Sequence, residues 1–190
     1  MKIAVFGDSF GVQKNEDKFD SWVSLLAKHF EIHNYCESGI GEYKILKKIQ
    51  TVDLSCYNKI LITHTSPNRI YVKYNPLHIT SKYHKNCDIL YADIEKNSDE
   101  FSVAGQMYFK HIFDFEYAND IHNMICREIN RLVAHADPIH ITHFDYTDLY
   151  NFAGLINFHR LFLKNKGTVG HYNKEGNIKI FETIMQRLTL

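Results

Sequence analysis

Short, uninterrupted apolar segments alternate with amphipathic segments along this chain, and that alternation restricts its fold more than any other feature. Residues 3–6 are continuously apolar and end at Gly7, a pattern typical of a strand buried on both faces that runs into a turn. Further strands are predicted at residues 31–35, 59–63 and 139–143. Strands that alternate with helices indicate an α/β domain with a mostly parallel sheet, here of about five strands.

Amphipathic stripes predict the helices between these strands. The clearest helix begins near Phe115 and ends before Pro138, because proline cannot continue a helix. An asparagine cap predicts that the last helix starts at Asn173. Further helices are predicted at residues 19–30, around residues 43–49 and at residues 155–163.

Length and charge limit the classes of function. A chain of 190 residues is typical of one domain. Residues 74–105 are polar and lack clean periodicity, so we interpret them as an insertion within that domain. The 22 basic and 22 acidic residues give no net charge, which argues against a nucleic-acid or membrane partner held by long-range attraction.

The cysteines and the N-terminal segment both favour a cytoplasmic location. Four cysteines are scattered without a C-x-x-C pair, and we expect reduced, structural thiols. The first apolar run is too short for a signal peptide or a membrane span.

A candidate nucleophile follows the first strand. Ser9 lies in Gly7-Asp8-Ser9-Phe10-Gly11, at the carboxyl end of a predicted parallel strand, where α/β sheets bind ligands. A serine needs a base to become nucleophilic, and His171, directly before the last helix, is the candidate base. The same residues are also good turn and cap formers, so a purely structural role stays open.

These two ends of the chain resemble the SGNH or GDSL hydrolase family. The first block, Val5-Phe6-Gly7-Asp8-Ser9-Phe10, is similar to the family's nucleophile block, and the segment from His171 to Asn177 is similar to its His-x-Asn-x-x-Gly-His ending. The resemblance implies a flavodoxin-like three-layer α/β/α fold and a serine esterase, with Ser9 and His171 as catalytic residues and no cofactor.

Two further segments correspond to the family's blocks that form an oxyanion hole, and one of them is similar in sequence. Asn34-Tyr35-Cys36-Glu37-Ser38-Gly39 is similar to the family's Asn-x-Gly-x-x-Gly turn, with Cys36 in place of the first glycine. The resemblance implies that the N–H groups of Ser9 and Gly39 bind the oxyanion. The family's third block, Gly-x-Asn-Asp, is replaced by His64-Thr65-Ser66-Pro67-Asn68-Arg69, where Asn68 is the expected donor and Thr65 or Ser66 the alternatives.

One departure affects the base. The family usually has an aspartate three residues before the histidine, and this chain has Thr168 there. A Ser-His dyad is therefore expected, with the ring oriented by a backbone carbonyl or by a carboxylate such as Asp145 or Asp148. Losing the orienting acid in a serine protease costs on the order of 10⁴ in rate, so an impaired, ligand-binding relative is a second interpretation.

Three residues beside the candidate site are suited to bind substrate, whereas the histidines and cysteines form no predicted metal site. Asp8, Thr65 and Arg69 lie beside the candidate site, and an exposed guanidinium is suited to hold a carboxylate or phosphate. No metal site is predicted, because His140 and His143 point to opposite faces of a strand. The set His78, His84 and Cys87 matches no zinc module.

The expected substrate is a small-molecule or carbohydrate-borne ester, including an acetyl ester. An O-acyltransferase with the same site is the third interpretation, since it differs only in the acceptor. Four tyrosines lie in or beside the insertion: Tyr71, Tyr74, Tyr83 and Tyr91. We expect the insertion to form a lid or a partner surface at the rim of the site.

Overall fold

The computed structural model describes residues 1–12, 19–81, 84–145, 152, 154–167 and 171–189. Five parallel strands form one sheet in the order β2-β1-β3-β4-β5. The strands are β1 (Lys2–Gly7), β2 (Glu31–Asn34), β3 (Lys59–His64), β4 (Ile139–Thr142) and β5 (Ile156–Asn157). The predicted α/β class and the flavodoxin-like three-layer arrangement are confirmed.

Seven α-helices are described, and most of them cover the two faces of the sheet. They are α1 (Trp22–Leu26), α2 (Glu42–Ile49), α3 (Tyr91–Ile94), α4 (Glu100–His111), α5 (Phe115–Val133), α6 (His159–Lys164) and α7 (Lys174–Leu188). Within the described residues, no helix combines the length and the apolar character needed to cross a membrane.

Alternation along β1 divides the core between the two faces. Ile3 and Val5 pack with α1 and α7, while Ala4 and Phe6 pack with α2 and α5. Successive side chains of a strand point to opposite faces, so a buried central strand must be apolar on both. This explains the uninterrupted apolar run in the sequence.

The predicted bounds of two helices were wrong. A helix was predicted over residues 155–163, but residues 156–157 form the edge strand β5, and the Phe158 N–H extends the ladder by donating to the Thr142 carbonyl at 2.8 Å. The helix α6 begins later, at His159, whose N–H donates to Asn157 Oδ1 at 2.8 Å. A helix predicted over residues 19–30 is limited to Trp22–Leu26, which starts after the Ser21 cap.

The predicted insertion contains more regular structure than its composition indicates. Helix α3 lies within residues 74–105, and α4 begins there at Glu100. The buried residue of α4 is Ser102, so this helix has no apolar stripe from which to predict it. The starts of α5 at Phe115 and of α7 after the Asn173 cap are confirmed.

Candidate active site

Ser9 lies just beyond the carboxyl end of β1 and is partly exposed. The strand ends at Gly7, where a Cβ atom would lie 1.9 Å from Thr63 Oγ1, so only glycine fits between β1 and β3. Asp8 Oδ1 then accepts from the Phe10 N–H at 3.0 Å and caps one 3-10 turn, Ser9–Gly11. This turn places Ser9 at the carboxyl ends of the parallel strands.

The turn that carries Ser9 is held from both sides. The indole N–H of Trp22 donates to the Phe10 carbonyl at 2.7 Å, and Asn34 Nδ2 donates to the Gly11 carbonyl at 2.8 Å. A Cβ atom on Gly11 would lie 2.4 Å from Cys36 Sγ. The Cys36 side chain therefore packs directly against the turn that carries Ser9.

Gly39 lies on the turn that follows β2, next to the turn that carries Ser9. The Glu37 N–H donates to the Gly7 carbonyl at 3.1 Å and so joins the Gly39 turn to the end of β1. Its φ of +76° is a conformation that glycine adopts readily and other residues rarely do. The Gly39 carbonyl accepts from Arg69 Nη1 and from the Asp88 N–H, both at 2.9 Å. These bonds fix the orientation of the turn.

Two backbone N–H groups at the carboxyl ends of the strands have no acceptor within the described residues. Among the described residues, neither the Ser9 N–H nor the Gly39 N–H donates to any acceptor. Backbone donors without internal partners near a hydroxyl are the feature that an oxyanion hole requires.

Asp8, Thr65 and Arg69 form a linked group below this edge. Asp8 and Thr65 are fully buried, and Arg69 Nε donates to Thr65 Oγ1 at 3.1 Å. Burial raises the pKa of Asp8, and the Arg69 charge and the Phe10 N–H oppose that rise only in part. Asp8 and Thr65 have no exposed surface, and Arg69 links Thr65 to the Gly39 carbonyl. A role of Asp8, Thr65 and Arg69 in substrate binding stays a prediction.

Asn68 follows β3 at the same edge and is partly exposed. Its backbone N–H donates to Ser66 Oγ at 3.2 Å, which shapes the turn that carries it. The structure thus brings Ser9, Gly39 and Asn68 to the carboxyl ends of three adjacent strands.

His171 reaches the site from the other end of the chain. Its imidazole packs edge-on against Phe10, the residue after Ser9, with ring centroids 5.5 Å apart. The His171 carbonyl accepts from the Gly167 N–H at 2.6 Å, which helps to place the residue. Within the described part of the chain, no hydrogen bond joins the side chains of Ser9 and His171.

The group that would orient His171 is not among the described carboxylates. Asp145 is exposed and makes no ion pair with any described residue. Thr168 and Asp148 lie outside the described residues, as does Tyr83 of the insertion.

The insertion packs against the Gly39 turn. The Asp88 side chain accepts from the Gly41 N–H at 2.6 Å, and Cys87 Cβ lies beside Gly39. Tyr71 and Tyr74 remain about half exposed, at 49% and 56%. The lid or partner surface stays a prediction, at a position beside the candidate site.

The buried side chain of His143 packs against Phe10, a contact that the sequence analysis did not predict. The His143 ring stacks on Phe10 with centroids 4.3 Å apart, and its Nδ1 lies 2.8 Å from the Tyr172 hydroxyl. Burial lowers the pKa of His143 to about 3, with a smaller contribution from the charge of His171. His143 is therefore neutral at pH 7 and serves as a packing partner.

A second polar cluster occupies the opposite face of the sheet. His64 Nδ1 lies 2.8 Å from Glu42 Oε1, and His64 Nε2 lies 2.9 Å from His140 Nδ1. His140 and His143 face opposite sides, as predicted. Burial raises the pKa of Glu42, but the charge and hydrogen bond of His64 outweigh burial, and the net shift is downward.

Sequence reasoning missed this cluster, although one signal was present. His64 continues the inward alternation of Ile60 and Ile62 on β3 and is therefore directed into the core. A buried polar side chain at such a position needs hydrogen-bond partners. Which residues supply them depends on helix packing, which the pattern does not specify.

Comparison with protein-family models gives no match for this chain, and comparison with curated proteins gives none either. The function proposed below therefore follows from the geometry and chemistry of the residues.

Proposed function

We propose that this protein is a serine acyl hydrolase of the SGNH type that cleaves small or carbohydrate-borne esters. The observation that carries the proposal is a pair of N–H groups, on Ser9 and Gly39, that donate to no acceptor in the described part of the chain and lie at the carboxyl ends of the strands, where Ser9 is partly exposed. A carbonyl oxygen that becomes negatively charged during ester cleavage is stabilised by such donors.

The proposed reaction begins with transfer of the Ser9 hydroxyl proton to His171 as Ser9 Oγ attacks the ester carbonyl. The oxyanion of the tetrahedral intermediate accepts from the N–H groups of Ser9 and Gly39 and from the Asn68 side chain. His171 then gives its proton to the departing alcohol. Water, deprotonated by His171, hydrolyses the acyl-serine and regenerates the enzyme.

His171 is proposed to act in a dyad. Its charge lowers the pKa of Asp8 slightly, so the two side chains lie within electrostatic range. The Asp8 carboxylate, buried beneath the nucleophile turn, would stabilise the imidazolium that forms when Ser9 is deprotonated. Arg69 moderates that effect, because its charge also acts on Asp8.

A ligand-binding protein with the same fold is the second candidate function. The observation that favours it is the lack of a hydrogen bond between the described side chains of Ser9 and His171. Catalytic hydrogen bonds are often long without substrate and shorten in the complex, so this geometry is compatible with catalysis too. An O-acyltransferase uses the same site with an alcohol in place of water.

The experiment is a steady-state assay with chromogenic esters of increasing acyl length, together with an acetylated sugar. We expect turnover by the wild-type protein and background rates for Ser9→Ala and His171→Ala. His29→Ala is the matched control, because this exposed histidine precedes β2 and so lies near the amino ends of the strands, whereas Ser9 follows the carboxyl end of β1. Full activity in Ser9→Ala would exclude the proposed nucleophile, and added alcohols that divert the acyl group would indicate a transferase.

All four cysteines are unpaired, which is typical of proteins kept in a reducing compartment. This supports a cytoplasmic location as part of the proposal.

A further inference from the structure

Three buried side chains with metal-ligand chemistry meet between α2 and α5, on the face of the sheet opposite α1 and α7. Glu42 is the first residue of α2, and His122 and Cys126 lie one helical turn apart on α5. One potential ligand atom from each of the three lies within 4.8 Å of the other two. The side chains belong to residues that are 4%, 4% and 0% exposed, respectively.

These residue types fit one class of ion. Carboxylate oxygen, imidazole nitrogen and thiolate sulfur are the three donors that Zn²⁺ takes in proteins, and a mixed set of this kind favours a tetrahedral, borderline-soft ion over Mg²⁺ or Ca²⁺. A carboxylate and a thiolate together neutralise the charge of a divalent ion. The site would therefore bury no net charge, which a low-dielectric interior requires.

A hydrogen-bonded shell surrounds one of the ligands. Glu42 Oε1 lies 2.8 Å from His64 Nδ1, and Glu42 Oε2 accepts from the Thr65 N–H at 3.1 Å. The chain continues from His64 through His140 to Asn130, with distances of 2.9 Å and 3.0 Å. Partners of this kind orient ligating side chains in metal sites and tune their affinity.

The cluster also borders a cavity. A pocket of about 360 Å³ opens between α2 and α5, and both Glu42 and His122 line it. Its other walls include the aromatic rings of Tyr43, Tyr108 and Tyr117. A fourth ligand, either water or a donor group of a small molecule, can approach Glu42 and His122 from this pocket.

We propose that Glu42, His122 and Cys126 bind a zinc ion whose fourth coordination position faces the pocket between α2 and α5. Three protein ligands with one open position are the arrangement of catalytic and ligand-binding zinc centres, whereas structural zinc is held by four. The cluster lies on the α2 and α5 face of the sheet, and the zinc proposal does not rest on the proposed esterase activity.

The test uses the full-length protein after treatment with a chelator, titrated with Co²⁺ as a spectroscopic substitute for Zn²⁺. We expect one Co²⁺ per chain, with the visible bands of tetrahedral cobalt and a near-ultraviolet charge-transfer band from a thiolate. Added Zn²⁺ should displace the cobalt and abolish both features. A cobalt spectrum without the thiolate band would overturn the proposal.

Variants separate this site from adventitious binding. Cys126→Ser should lose the charge-transfer band, whereas Cys56→Ser, which removes an exposed thiol, should keep it. His64→Ala tests the surrounding shell and should weaken Co²⁺ binding by about 10- to 100-fold. Loss of the band in Cys56→Ser but not in Cys126→Ser would refute the assignment.

A second measurement covers the case in which Cys126→Ser does not fold. X-ray absorption of the zinc-loaded wild-type protein should give a first shell with one sulfur ligand and nitrogen or oxygen ligands. A shell without sulfur would contradict the site whatever the variants do. Circular dichroism of each variant establishes whether it is folded before its spectrum is interpreted.

Discussion

Replacement of Gly39 by alanine tests the geometry of the site at its tightest point. With φ at +76°, alanine at this position costs about 1–2 kcal/mol in backbone strain. The new Cβ would lie 2.6 Å from Cys87 Cβ, which is not the far end of a flexible side chain, so the backbone must shift. Overpacking of this kind adds about 1–3 kcal/mol, and the total expected loss of unfolding free energy is about 2–5 kcal/mol.

Gly154 offers a matched control for the strain alone. Its φ is +86°, and a Cβ there would meet no atom of the described residues within 4 Å. Gly154→Ala should therefore cost only about 1–2 kcal/mol. The change in the entropy of the unfolded chain is the same for both variants and cancels from the difference.

Two measurements check this prediction. Urea unfolding followed by circular dichroism gives the stability of both variants. The rate at which a serine-reactive organophosphonate labels Ser9 should fall about 10²- to 10³-fold in Gly39→Ala, because the displaced N–H is the proposed oxyanion donor, and should be unchanged in Gly154→Ala. Equal stability losses would refute the steric argument, and undiminished labelling of Gly39→Ala would remove this amide from the proposed oxyanion hole.

Two further substitutions probe the groups beneath the nucleophile turn. Tyr172→Phe removes the hydroxyl that lies 2.8 Å from His143 Nδ1 and donates to the Phe158 carbonyl at 3.3 Å. Urea unfolding should therefore show a loss of about 1–3 kcal/mol in the free energy of unfolding. An unchanged unfolding midpoint would contradict the predicted hydrogen-bond network. Asp8→Asn should stabilise the protein at neutral pH, because burial raises the folded-state pKa of Asp8 and the contribution of this one carboxyl to stability falls as pH rises above its ordinary pKa of 3.8. Thermal unfolding across pH should show the advantage of Asp8→Asn growing above that value, and an advantage that shrinks would contradict the sign of the shift.

The sequence predicts the fold well because the information is local. Continuous apolar runs in β1 and β3 reflect burial on both faces, and the Asn173 cap marks the start of α7. The strand β5 was not predicted because it has two residues, too few for a period, and its pairing with β4 depends on tertiary context.

The candidate site could be predicted in part for the same reason. Ser9 and Gly39 follow strand ends in short segments whose residue types indicate turns, and parallel strands bring their carboxyl ends to one edge. The linkage of Arg69 to the Gly39 carbonyl and the stacking of His143 on Phe10 join distant segments. Such contacts are set by packing between elements, which one sequence alone does not specify.

The proposed zinc site illustrates the same limit more strongly. His122 and Cys126 have the spacing of one helical turn, which is also common in buried helix faces. Only the packing of α2 against α5 adds Glu42 to the pair.

The central claim is that Ser9 is an activated nucleophile, and intact-protein mass spectrometry after exposure to an organophosphonate tests it most directly. We expect a single adduct on the wild-type protein that maps to Ser9 and is absent from Ser9→Ala and His171→Ala. A wild-type protein that stays unlabelled, or an adduct that persists in Ser9→Ala, would contradict it.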